Sequence, residues 1–220
     1  MRPWLTLAAG MAVALGLTGA GRAADEGAQE QTAGASSEAD AIIAHSAVGD
    51  LFQNVSAGAE PKVRHNASGL VCWFGSDQSD WARDNITVFP SGLPRGDDVG
   101  CNIWRKTFLV SMDITRFAPV PSLDEATAAY ERSVMQLHPQ ARPYTGPAHE
   151  MQRPAGLPPW TTVRYVFDDR GGQFSRLSVA VVNGWVIEER VTGPLREADF
   201  GDTISEAEIA GAVASVKGAP

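Results

Sequence analysis

The chain is poor in cysteine and histidine, has no basic cluster, and after its first two dozen residues has no long apolar run. Each shortage removes a class of function. The four histidines are His45, His65, His138 and His149, and no two stand at i,i+4 on one element, so a helical zinc-protease pair is excluded. No Gly-x-Ser-x-Gly occurs, which removes the strand-to-helix nucleophile elbow of hydrolases. Neither Gly-Lys-Ser/Thr nor Gly-x-Gly-x-x-Gly is found, so the backbone cradles that hold nucleotide phosphates are missing. Acidic residues outnumber basic ones 26 to 18, for a net charge of -8, and Arg105-Lys106 is the single adjacent basic pair. Such a surface gains nothing from a phosphate backbone, and nucleic acid is not an expected partner. These readings leave no cofactor, no metal and no catalytic residue to assign.

What is present first is a leader. Arg2 precedes an apolar stretch over residues 4–17, and Gly21-Arg22-Ala23 offers small residues where a signal peptidase reads them. The stretch falls short of the roughly 20 apolar residues a membrane-spanning helix needs. Residues 1–23 are therefore expected to be a cleaved signal peptide, giving a periplasmic or secreted protein with no stable membrane span. Residues 24–37 are small, polar and acidic, and read as a flexible tether. Residues 38–220 make one domain, with the 44% apolar and 20% charged composition of a globular chain.

The two cysteines, Cys72 and Cys101, are expected to form one disulfide in an exported protein. Closing a loop of about 30 residues, it contributes roughly 3–4 kcal/mol on the loop-entropy model. Their separation is far from the Cys-x-x-Cys of redox pairs, and no four-ligand zinc pattern surrounds them.

Hydrophobic spacing orders the rest. Ile42, Ile43, Ala47, Leu51, Phe52 and Val55 predict a helix over 38–55, weakened by Gly49. Strands are expected over 61–65, 70–74, 85–89, 99–104 and 107–117. Ser122 with Glu125 is a capping box opening a helix that Pro139 ends. After a Pro-rich connection come strands over 161–167, 174–182 and 185–192. Asn183-Gly184 between the last two predicts a type I′ hairpin pairing Val182 with Trp185 and Ala180 with Ile187. Ser205 with Glu208 predicts the start of a final helix carrying Ile209, Val213 and Val216. The fold class that follows is α+β, an α/β/α sandwich with a mainly antiparallel sheet covered by helices.

Four segments carry a resemblance: Ser68-Gly69-Leu70-Val71-Cys72, Gly96-Asp97-Asp98-Val99-Gly100-Cys101, Ser122-Leu123-Asp124-Glu125-Ala126 and Val181-Val182-Asn183-Gly184-Trp185-Val186. In these the chain resembles a set of uncharacterised exported proteins of proteobacteria. Its element order is similar to the Mog1/PsbP/LpqN-like fold. That resemblance implies an antiparallel sheet sandwiched by helices and a largely non-catalytic role in binding or assembling other proteins. Fold alone does not transfer function.

Candidate site residues are few. Trp81 and Trp160 fall in expected loops, Trp160 after two prolines, and are candidates for a partner-binding surface, since Trp is enriched at interface hot spots. The competing reading makes them lids on the core edge. Asp77, Asp80 and Asp84 in one loop and Asp97 and Asp98 in another belong to the ring that a Cys72–Cys101 bond would close. They are weak candidates to converge on a calcium ion, against solvated turn residues. Glu188 and Glu189, adjacent on a strand, must face opposite ways. The leading functional expectation is a non-catalytic exported domain that binds or assembles an envelope protein. A carrier of small apolar ligands or lipids and an unrecognised hydrolase are the alternatives.

Overall fold

In the computed structural model, residues 20–75, 84–147, 153–167 and 172–217 are described. Helix α1 spans Ala20–His45. It runs through the segment expected to be a tether. Composition alone missed two things: alanine is the best helix former, and Ala35, Ala39 and Ile42, at i, i+4 and i+7, are buried against the body. The leader's apolar stretch lies outside the described residues. The helix expected over 38–55 ends at His45 instead. Ala47 takes a left-handed φ of 53°, the Val48 N–H reaches the Ile43 carbonyl and the Ala47 N–H that of Ala44, which is a Schellman stop. Leu51 and Phe52 are thereby released from the helix.

Strands β1 (Phe52–Asn54), β2 (Lys62–His65) and β3 (Val71–Trp73) form a small antiparallel sheet. The main sheet contains β4 (Asn85–Val88), β5 (Asp98–Arg105), β6 (Phe108–Thr115), β7 (Arg142–Pro143), β8 (Trp160–Phe167), β9 (Gln173–Val182) and β10 (Trp185–Pro194). Its order is β4-β5-β6-β10-β9-β8-β7, with every neighbouring pair antiparallel. The β9–β10 hairpin has the expected register, Val182 opposite Trp185 and Ala180 opposite Ile187, with positive φ at Asn183 and Gly184. Helix α2 (Leu123–Leu137) carries the expected capping box at Ser122 and Glu125. Helix α3 (Ala198–Ser215) begins one 3-10 turn after β10.

α3 therefore starts well before Ser205. That residue is buried in the helix interior, its hydroxyl committed to Glu189 rather than to a helix end. Gly201 weakens the periodic signal of the first turns and exists for packing. A Cβ at Gly201 or at Gly193 of β10 would run into the Phe108 ring, so α3 lies close on the sheet only because both side chains are absent.

The sheet is thus the middle layer. Its inner face carries Phe108, Val110, Met112, Ile114, Phe174, Trp185, Ile187 and Val191, under α1, α3 and the small sheet. The Cys72–Cys101 disulfide joins β3 to β5 within this core. The outer face is covered by α2 over β8 and β9, where Ala126, Val134, Tyr165, Leu177, Val179 and Val186 form a second, smaller core. Three of the strand edges are blocked at a point, which hinders pairing with another strand. On β4 the Ile86 N–H donates to Ser46 Oγ at 3.0 Å, on β3 the Val71 N–H donates to Ser215 Oγ at 3.0 Å, and the two-residue β7 ends in Pro143.

Candidate functional site

Trp160 is not an exposed anchor. It is the first residue of β8, 8% exposed and part of the main core, with the Arg153 guanidinium 4.4 Å above its ring. The chain's strand propensity begins one residue earlier than the prolines suggested, and that places the indole inside. Trp81, Asp77 and Asp80 lie outside the described residues. The remaining aspartates do not converge. Asp84 is buried and accepts the Trp104 N–H at 2.8 Å, whereas Asp98 accepts the Thr115 hydroxyl at 3.0 Å at the opposite end of β5. Six residues of extended chain separate the two ends, roughly 20 Å. Asp97 lies beside His65 at the Asp98 end. Among the described residues no group of three or more His, Cys, Asp or Glu is arranged to hold a metal ion.

Apart from the capping box at Ser122, two serine–base contacts stand out among the described residues, and both are sealed. The Ser68 hydroxyl lies 2.9 Å from His65 Nδ1 and accepts the Leu70 N–H at 3.1 Å; both residues are fully buried. Since Nδ1 also accepts the Ser68 N–H, the ring proton belongs on Nε2, which has no partner among the described residues. Burial, opposed by the Asp97 charge, lowers the His65 pKa to about 4, so the ring stays neutral. Here Ser68 closes a turn and His65 packs between Phe52 and Trp185.

The second contact sits under α3. Arg164 and Arg176 are direct cross-strand neighbours, and Asp202 bridges them, one carboxylate oxygen 3.1 Å from each guanidinium. Glu206 pairs with Arg176 from the next turn of α3. Ser178 and Ser205 then link to Glu189, whose Oε2 accepts the Ser205 hydroxyl while Oε1 is unpartnered. Two guanidiniums already balance Asp202 and Glu206. Glu189, fully buried, is the surplus acid, and burial raises its pKa to about 8. The sequence did not single out Arg176, Ser178, Glu189, Asp202 or Glu206 as one group. The available signal was polar residues at 202, 205 and 206 on the same helical face as Ile209.

The outer sheet face offers the accessible site. α2 leaves β4, β5, β6 and half of β10 bare. There Ser111 Oγ donates to Asn102 at 2.8 Å and Asn102 Nδ2 donates to Asn85 at 3.0 Å, a polar ladder crossing three strands. One end is a shallow groove of about 300 Å³ lined by Trp104, Leu109, Gln173, Thr192 and Arg196. The other end gathers Asp98, Asp113 and Glu188 beside Tyr130 of α2. Asp113 lies over Gly100, its carboxylate occupying the space a Cβ would fill, with the Phe89 ring alongside. Burial first, then the Glu188 charge, raises the Asp113 pKa to about 8. Burial also raises that of Glu188, opposed by Arg190, which donates to it at 2.6 Å. Asp113, missed in the sequence, stands at an outward position of β6 opposite Gly100 and Glu188, a juxtaposition that only the register reveals.

No protein-family model matches the chain, and no curated protein matches it. Among solved structures the chain has a weak similarity to LpqN, described as involved in cell envelope biogenesis of Mycobacterium tuberculosis. The TM-score is 0.30 at 12% identity, covering 74% of this chain and 87% of that one. Among the described residues no helix is long and apolar enough to cross a membrane.

Proposed function

We propose that this chain is a non-catalytic, exported binding domain that docks a basic segment of an envelope protein on the bare half of its outer sheet face. The observation that carries this reading is the asymmetric cover. α2 buries the apolar residues of β8 and β9, while the adjacent strands present short polar side chains that already satisfy one another. Around Asn85, Asn102 and Ser111 these short side chains leave a flat floor between the Trp104–Leu109 end and the Asp98 end. β4, β5, β6 and half of β10, at about 3.3 Å per residue and about 4.8 Å between strands, give a face of roughly 400 Å², the scale of a weak, transient contact. At one end Asp98 and Glu188 meet one guanidinium, Arg190, which Glu188 already engages, beside an Asp113 whose pKa of about 8 leaves it mostly protonated at neutral pH; Asp98 is the carboxylate left for a partner. Charge complementarity therefore selects lysine or arginine on the partner. The blocked edges of β3, β4 and β7 favour docking on the face over strand addition.

The carrier alternative lacks space where it needs it. Beneath the β9–β10 hairpin the sheet meets α3 so tightly that Gly193 and Gly201 have no room for a methyl group. The hydrolase alternative lacks access, since Ser68 and Ser205 are both fully buried.

A photo-crosslinking residue at Asn102, compared with one at Met135 on the outer side of α2, tests the proposal in the native host. We expect a single envelope protein to be captured from position 102 alone. A synthetic peptide of its crosslinked segment should bind the purified domain with an affinity that falls with salt and with Asp98→Asn. A captured segment that is acidic, or equal capture from both positions, overturns the reading.

A further inference from the structure

We propose that one rim of the main sheet is a membrane-contact surface that seats the domain on an anionic lipid headgroup layer. This goes beyond the docking reading and uses a different part of the molecule. The strand registers bring three loops to the same rim. Val88 of β4 opposes Val99 of β5, Asp98 opposes Thr115 of β6, Thr115 opposes Val186 of β10, and Trp160 of β8 opposes Ala180 near the end of β9. Residues 89–97, 116–121 and 153–159 therefore all leave or enter the sheet on one side. From β5 to β8 that rim crosses four inter-strand spacings, roughly 19 Å.

These loops differ in chemistry from the rest of the chain. They hold two, two and three of its 14 prolines, which stiffen them, so little conformational freedom is lost on contact. Their charged residues are Arg95, Arg116, Arg153 and one acid, Asp97, a net charge of +2 in a chain of net -8. Asp97 is drawn back beside the buried His65, and Asp98 behind it accepts the Thr115 hydroxyl. Arg95 pairs with Asp50, whereas Arg116 and Arg153 enter no ion pair among the described residues and lie over the Trp185 and Trp160 rings. The tip beside Arg116 is apolar. Residues 116–120 are exposed without interruption, Phe117 at 37% and Val120 at 46%. Exposed apolar groups rimmed by charge mark a contact site. Guanidiniums flanking such a tip, with no acid in the tip itself, complement phosphate. Anionic headgroups attract the cations, and the layer beneath them accepts the apolar side chains. A projecting loop enters a headgroup layer directly, whereas a protein partner would have to supply a matching hollow.

Flotation of the whole chain with vesicles tests this. We expect binding to vesicles of equal parts phosphatidylglycerol and phosphatidylcholine, weakened by salt, and none to phosphatidylcholine alone. Phe117→Ala with Val120→Ala should weaken binding on the order of tenfold, and Arg116→Gln about fivefold. Leu137→Ala, at a more exposed apolar position on the far end of α2, is the control and should bind as the parent does. Thermal melts check that each variant is folded. All variants share one N-terminus, so binding through the leader would be indifferent to the rim and would count against the proposal. A photo-crosslinking residue at Val120 in the native host separates a lipid surface from a protein partner, and we expect lipid adducts. No binding to the mixed vesicles, equal binding to phosphatidylcholine alone, rim variants that bind like the parent, an equal loss in Leu137→Ala, or a protein captured from position 120 overturns the proposal.

Discussion

Replacing Glu189 with glutamine removes an ionisable proton while keeping the side chain's shape, so it isolates the surplus acid under α3. Glu189 has a pKa of about 8 in the fold against 4.5 for an unperturbed glutamate. Between those values the folded chain holds a proton that the unfolded chain has released. Stability is therefore greatest on the acid side, falls as pH rises through the window from about 4.5 to about 8, and levels off above it. Three and a half pH units correspond to about 4–5 kcal/mol, a magnitude reachable because the group is fully buried and unscreened. Glutamine escapes this loss but has a cost of its own. Its amide places an extra N–H where Oε1 has no partner, which costs about 1–2 kcal/mol. The variant should thus be less stable than the parent near pH 4.5 and more stable by about 3 kcal/mol at pH 8.5, with the curves crossing near pH 6. In a domain of this size that difference is a rise in Tm of about 6–12 °C at pH 8.5. Denaturant titrations of both proteins at pH 4.5, 6 and 8.5 measure it. Asp113 lies on the opposite sheet face and titrates in both proteins, so its contribution cancels in the difference. A difference that stays constant within about 0.5 kcal/mol over this range would refute the reasoning. It would mean that Glu189 ionises normally and that the charges of Arg164, Arg176, Asp202 and Glu206 have been paired wrongly.

Other substitutions probe separate parts of the fold. Cys72→Ser with Cys101→Ser should lower unfolding stability by roughly 3–4 kcal/mol in denaturant, and dithiothreitol under denaturing conditions should reproduce the loss in the parent chain. Trp160→Ala should cost about 3–5 kcal/mol, the response of a core residue, while leaving crosslinking from position 102 intact in whatever fraction remains folded. Ser122→Ala should remove about 1 kcal/mol and increase exchange in the first turn of α2 before any other element, seen by amide exchange. Gly201→Ala should destabilise by more than its helix propensity gains, because the new methyl meets the Phe108 ring; a stabilised variant in thermal melts would show that α3 is less closely seated than described.

Local chemistry made the hairpin, the capping box and the strands of the main sheet legible, except for the two-residue β7, which lies in what reads as a Pro-rich connection. Asn183-Gly184 demands positive φ twice, and Ser122 with Glu125 satisfies its own backbone, so neither depends on distant residues. The failures came where tertiary partners decided the outcome. Leu51 and Phe52 continue the helical spacing of Ile42, yet Ala47 stops the helix and Phe52 pairs with His65 in the small sheet. Ser205 and Glu208 imitate a cap, but the Ser205 hydroxyl belongs to an acid on β10 sixteen residues earlier, at position 189, and no local pattern announces that. The polar stretch before residue 38 hid a helix because what it buries against the body is one small side chain, Ala35, which leaves no apolar stripe to read.

The accessible site was illegible for a related reason. Trp and Asp in expected loops drew attention because loops carry function, but Trp160 turned inward and Asp84 and Asp98 went to opposite ends of one strand. What distinguishes the outer face is an alternation that looks ordinary in each strand alone. In β5 the outward set is Asp98, Gly100, Asn102 and Trp104; in β6 it is Leu109, Ser111, Asp113 and Thr115. Either reads as the solvent side of a half-buried strand. Registered together, they place Asp113 over Gly100 and Ser111 beside Asn102, so that one glycine creates the berth of a part-buried acid and one amide links three strands. A face of this kind follows from α2 being short: fifteen residues at 1.5 Å each cover about 22 Å along its axis, enough for the apolar stripe of β8 and β9 and no more. Lengthening or shifting that helix would bury the ladder, so the length of α2 sets the size of the bare face.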